Sequence, residues 1–206
     1  MKSLAVAVLF LIVVAGALPA AANSTTYTWN FATSPNHSLG TNSHLYLSSG
    51  VGITATGSSN LYYKSGGLGE TGLGLVCGHH SSCDHEIGHG QSIVFNLGGL
   101  LDKNVTGISL TLESLQAGET GSVCDGFGAC VTFTAGNNRK SVSILGLFTD
   151  MRNHHSGNLI VKAGSGDVLV DQLQVTTSAV PEPGSLFLMG SGLLGIVGVI
   201  RRKLIC

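Results

Sequence analysis

The sequence predicts an all-β protein: a single jelly-roll-like antiparallel β-sandwich of about ten strands, with an N-terminal signal peptide and a C-terminal transmembrane helix. Three observations carry that expectation. Apolar residues in the middle of the chain recur with period two. Clusters of glycine, serine and asparagine interrupt them about every 8–12 residues. No stretch between residues 23 and 180 keeps a helical period over three turns.

The N-terminus comes first. Lys2 precedes an apolar run over residues 4–17, then Pro19 and Ala20-Ala21-Ala22 before the polar Asn23. This order is that of a secretory signal peptide over residues 1–22, ending at an A-x-A cleavage site. The run is shorter than the ~20 residues a membrane span needs.

The core domain follows over residues 23–178. In it Tyr27, Trp29 and Phe31 alternate with Thr28 and Asn30, and Ile108, Leu110 and Leu112 with Ser109 and Thr111. The same pattern predicts strands over residues 44–48, 51–56, 60–64, 92–97, 131–134, 141–148, 158–162 and 168–175. Threonine and serine suit the solvent faces of such sheets. A sandwich of this length is one domain.

Charge excludes one class of partner. The 206 residues are 43% apolar and only 10% charged, with net charge −1, where soluble domains average about 25% charged. Residues 23–180 hold six basic side chains against ten acidic ones, a net −4. No basic stripe exists to meet nucleic acid.

Cysteines imply an oxidising compartment. Cys77 and Cys83, and Cys124 and Cys130, each enclose five residues, and in an exported protein disulfides are expected. The Gly-, Ser- and Asp-containing loops bend enough for local pairing, Cys77 with Cys83 and Cys124 with Cys130, while crossed pairings stay open. Neither pair has the Cys-x-x-Cys spacing of a thioredoxin-like redox centre.

The segment most suggestive of chemistry is His85-Glu86-Ile87-Gly88-His89, an HExxH match. On a helix the two imidazoles would bind zinc on one face and the glutamate would activate its water. Gly88 and Gly90 weaken a helix, and Ser92 and Phe95 stand where a metzincin has glycine and its third histidine. A loop site is a second possibility: His79, His80, His85 and His89 with Glu86 or Asp84 suit zinc, copper or nickel. The plain expectation is no cofactor, with Glu86 fixing its loop by accepting backbone hydrogen bonds.

Other chemistry is thin. There is no G-x-S-x-G and no phosphate loop. Glu113, Glu119 and Asp150 are candidate carboxylates, but nothing selects a pair. Asp125 alone is far short of a calcium shell, and His154-His155 reads as a polar turn between strands.

The C-terminus reads Val180-Pro181-Glu182-Pro183-Gly184, then an apolar run over residues 185–200, then Arg201-Arg202-Lys203. The three cations hold that end in the cytoplasm, leaving the core outside. In these parts and their order the region 179–206 resembles the PEP-CTERM family of bacterial sorting signals. The resemblance implies recognition by an exosortase, cleavage near Pro181-Glu182-Pro183, loss of the helix, and transit to the cell surface or an exopolysaccharide matrix. Leu204, Ile205 and Cys206 extend past the basic cluster, where many members stop.

Within the core, Gly67-Leu68-Gly69, Gly72-Leu73-Gly74-Leu75, Glu86-Ile87 and Ser92-Ile93-Val94-Phe95 resemble the central pattern of PEP-CTERM β-sandwich ectodomains. The sequence departs from that pattern at His85 and Gly88, where it has asparagine and aspartate. Any ligand role of that aspartate is absent here.

The expectation is an exported, non-enzymatic protein of the bacterial surface or extracellular matrix, with a structural or exopolysaccharide-associated role. Its partners would be an exosortase-type enzyme, exopolysaccharide, and the membrane before processing. The alternatives are a zinc-binding or zinc-hydrolytic protein built on His85, Glu86 and His89, and an adhesin retained by an uncleaved helix.

Overall fold

The computed structural model describes residues 23–32, 35–66, 70–76, 84–179, 190, 192–193 and 200. The chain divides into two units, residues 25–178 and a second formed by residues 1–24 with 179–206. The signal peptide over 1–22, the Pro181-Glu182-Pro183 motif and the 201–203 cluster lie outside the described residues. Most of the expected membrane helix does too; Gly190, Gly192, Leu193 and Ile200 within it are helical. Among the described residues no helix is long and apolar enough to cross a membrane.

The described residues form thirteen strands in two antiparallel sheets. In chain order they are β1 (Ser24–Asn30), β2 (His37–Ser38), β3 (Ser43–Ser48), β4 (Val51–Gly57), β5 (Leu61–Ser65), β6 (Thr71–Leu75) and β7 (Ser92–Asn96), then β8 (Val105–Glu113), β9 (Thr120–Cys124), β10 (Cys130–Thr134), β11 (Ser141–Ser143), β12 (Asn158–Ser165) and β13 (Leu169–Ser178). One sheet runs β11-β8-β13-β6-β5-β2, with β1 also on β13; the other runs β10-β9-β12-β7-β4-β3.

Period-two patterning puts one side of each sheet into a shared core. Ile108, Leu110, Leu112, Leu173 and Val175 come from the first sheet, and Ile53, Ile93, Phe95, Val123, Leu159 and Val161 from the second. Phe31, just past β1, is fully buried, its ring 5.5 Å from that of Phe95. The layers approach closely at Gly121 of β9, where a Cβ would lie 3.0 Å from Leu112 of β8.

Two expectations need correction. All ten predicted stretches contain a strand, but β2, β6 and β9 are additional. Residues 141–148 are not one strand. The strand stops at Ser143, and a helix, α1, spans Leu145–Asn153. Leu147, Phe148 and Met151 are its buried side chains, spaced to share one face. His154 and His155 therefore follow a helix rather than a strand.

Candidate functional site

The loop carrying His85, Glu86 and His89 is not helical. Ile87 forms an isolated antiparallel bridge with Val168, its N–H donating to Val168 O at 2.8 Å and its O accepting from Val168 N–H at 3.1 Å. His89 and Gly90 lie in a turn, closed by Gln91 N–H donating to Gly88 O at 3.0 Å. The zincin geometry, two imidazoles one helical turn apart, is not formed. The His85 ring instead stacks on Tyr62, 3.9 Å between centroids and 11° from parallel. Among the described residues no three His, Cys, Asp or Glu side chains converge as a metal site. His79, His80, Cys77 and Cys83 lie outside the described residues.

The loop's seat explains the Gly-Leu-Gly-Leu run. Leu73 and Leu75 point into the core, fully buried. Gly72 and Gly74 alternate with them, and other backbone crowds both: the paired strand β13 beside Gly72 and the His85 loop over Gly74. A Cβ on Gly74 would fall on the His85 carbonyl oxygen and lie 2.9 Å from a Leu169 methyl, and one on Gly72 would lie 2.7 Å from Val170 O. Glycine within a strand here marks close backbone approach.

Under this loop lies the most buried charge cluster described. Lys64 of β5 is 9% exposed and Glu86 5%. The Lys64 Nζ sits 3.0 Å from Glu70 Oε2 and in direct contact with Glu86 Oε1. The Ser114 hydroxyl, itself buried, favours the ionised form of both carboxyls. Glu86 was expected to fix its loop through backbone amides; Lys64 holds it instead.

Burial, the largest influence on each member, sorts their protons. It pushes the Glu86 carboxyl above its ordinary value, and the pull of Lys64 only partly offsets this. Burial also works upward on Glu70, yet the Lys64 hydrogen bond and charge prevail and hold it low. For Lys64 burial works downward, and the hydrogen bonds of Glu86 and Glu70 outweigh it to raise the ammonium's pKa.

A second cluster surrounds the Cys124–Cys130 disulfide, whose half-cystines face each other in the β9–β10 register with Cα atoms 4.1 Å apart. Asp125 is fully buried, and its Oδ1 accepts from the N–H groups of Phe127, Gly128 and Ala129 at 2.7, 3.1 and 3.2 Å. Its carboxyl also meets that of Asp150 on α1. His154 Nδ1 lies 3.6 Å from Asp150 Oδ1, and its ring stacks on half-exposed Phe127 at 4.3 Å.

The three carboxylates noted in the sequence have separate engagements. Asp150 meets Asp125. Glu113 accepts from Thr71 N–H at 3.0 Å and lies 3.5 Å from Arg139 Nε. Glu119 accepts from Gln116 N–H at 2.7 Å. Lys64, Glu70 and Ser114 escaped sequence reading; the available signal was a lone lysine inside the otherwise uncharged 60–64 run, ahead of two glutamates.

Residues 179–203 match the family model described as the PEP-CTERM protein-sorting motif, beginning directly after β13 ends at Ser178. The chain carries that motif, which implies transient membrane anchoring before cleavage by an exosortase. No curated protein and no solved structure matches the chain.

Proposed function

We propose that the β unit, read as a jelly-roll-like sandwich, serves a structural or exopolysaccharide-associated role at the cell surface or in the extracellular matrix, without catalysis. The observation that carries this reading is the sorting motif at residues 179–203. The Cys124–Cys130 loop supports it as the contact region. An exposed aromatic ring and a half-exposed carboxylate, Phe127 and Asp150, match the CH faces and hydroxyls a sugar offers.

The test has two arms. Replacing Pro181, Glu182 and Pro183 with alanine leaves the chain uncleaved in the membrane fraction, whereas the parent is released. A parent chain that keeps its tail in the membrane is the retained adhesin instead. In the second arm the released protein is passed over exopolysaccharide from the producing cells. Retention that F127A and D150A abolish supports glycan association, and no retention leaves the structural role alone. Stoichiometric zinc lost on H89A would return the zinc reading.

A further inference from the structure

The Lys64, Glu70, Glu86 and Ser114 cluster has the parts of a self-forming covalent cross-link. We propose that Lys64 Nζ and Glu86 Cδ condense to an amide, tying β5 to the loop that precedes β7. This goes beyond the surface role and does not depend on it.

Three observations carry the inference. The two reacting groups touch, Nζ of Lys64 against Oε1 of the carboxyl whose Cδ it would attack, on side chains 10% and 3% exposed. A third group sits where a proton carrier must sit, Glu70 Oε2 at 3.0 Å from the same nitrogen. Ser114, itself buried, acts on the protons of both carboxyls. Contact of this kind turns a bimolecular condensation into an intramolecular one of very high effective concentration. Dryness contributes as well: two charges held out of water are costly, and condensation replaces them with one neutral amide and a water. Ile87, Val168 and Leu169, fully buried around the loop, exclude the solvent that would reverse the step.

The step balances. A proton passes from the Lys64 ammonium to Oε1 of Glu86, the oxygen it touches, and the freed amine attacks Glu86 Cδ to form the N–Cδ bond. Glu70, 3.0 Å from the same nitrogen, carries the second nitrogen proton to that oxygen. The Cδ–O bond breaks and that oxygen leaves as water. Nitrogen gives up two protons, both depart in the water, and Glu70 ends as it began. Nothing is oxidised or reduced. The raised pKa of Glu86 is consistent with a carboxyl that readily carries a proton on its departing oxygen.

The experiment is mass spectrometry of the full exported chain, reduced and denatured, followed by tryptic mapping. Expected is a chain lighter by one water, with the loss located in a fragment holding both Lys64 and Glu86. Trypsin, which requires a free lysine, would no longer cut after Lys64. In K64R and E70Q the full sequence mass returns and cleavage at position 64 resumes, while a second, unreduced sample still shows the Cys124–Cys130 disulfide as a sign of folding. A parent chain at full sequence mass, a water loss mapped elsewhere, or one that persists in K64R or E70Q overturns the proposal.

Discussion

Asp125 and Asp150 bring two carboxyl groups together beside the Cys124–Cys130 bridge, one fully buried and one at the surface. Their protons are divided unequally. Burial works upward on Asp125, but the amides of Phe127, Gly128 and Ala129 and the contact with Asp150 hold its carboxyl below the usual range. The hydrogen bond with Asp125 and then burial push Asp150 up, against the pull of His154.

The pair predicts stability that changes with pH on two sides. Asp125, held low, contributes stability present above the ordinary carboxyl pKa of about 3.9 and lost as pH falls through its depressed value. Asp150, held high, contributes stability present below that ordinary value and lost as pH rises through its raised one. In D150N the loss on the rising side shrinks, leaving the share of the other raised carboxyls such as Glu86, and the acid-side loss remains. Urea midpoints between about pH 2 and pH 7 read both arms; an unchanged profile in D150N would refute the pairing.

Gly74 predicts a backbone fault. G74A sets a methyl against the His85 carbonyl, so the loop must lift off β6, at a cost of about 1–3 kcal/mol. Hydrogen exchange should speed up at the Ile87 and Val168 amides, which bond each other's carbonyls. Unaltered protection at both would show that the loop does not rest on this glycine.

The disulfide closes a short hairpin, so its contribution is modest. C124A/C130A should lose about 2 kcal/mol by the chain-entropy relation for so small a loop. Denaturation of the variant against the oxidised parent measures it, and a loss above roughly 4 kcal/mol would mean that the bridge organises more than its own loop.

Helix α1 is anchored by its buried face. F148A removes a fully buried ring and should cost about 3–5 kcal/mol, seen as a lower urea midpoint. A cost under about 1 kcal/mol would contradict this packing.

The strands announced themselves where side chains alternate, as at Tyr27, Trp29 and Phe31 or Ile108, Leu110 and Leu112. β6 and β9 were hidden because Gly72, Gly74 and Gly121 stand at positions other chain atoms approach, leaving no side-chain alternation to read. Helix α1 runs nine residues, too short for its period to stand out, and Ile144 and Leu145 extend the apolar look of β11 into it. The disulfide at Cys124 and Cys130 was legible from spacing. The Lys64 cluster was not, since Glu70 and Glu86 reach it only after the chain turns back over β6. The address at residues 179–203 was legible because its order is linear.

The tail leaves the β unit from an interior strand. β13 is paired along its length with β8 and flanked on its other side by β6 and β1, and the sorting motif begins at the next residue. While the chain is still tethered there, any pull on the tail enters the domain through β13, and ladder hydrogen bonds on both of its sides resist it. A tether on an edge strand would have a neighbour on one side alone.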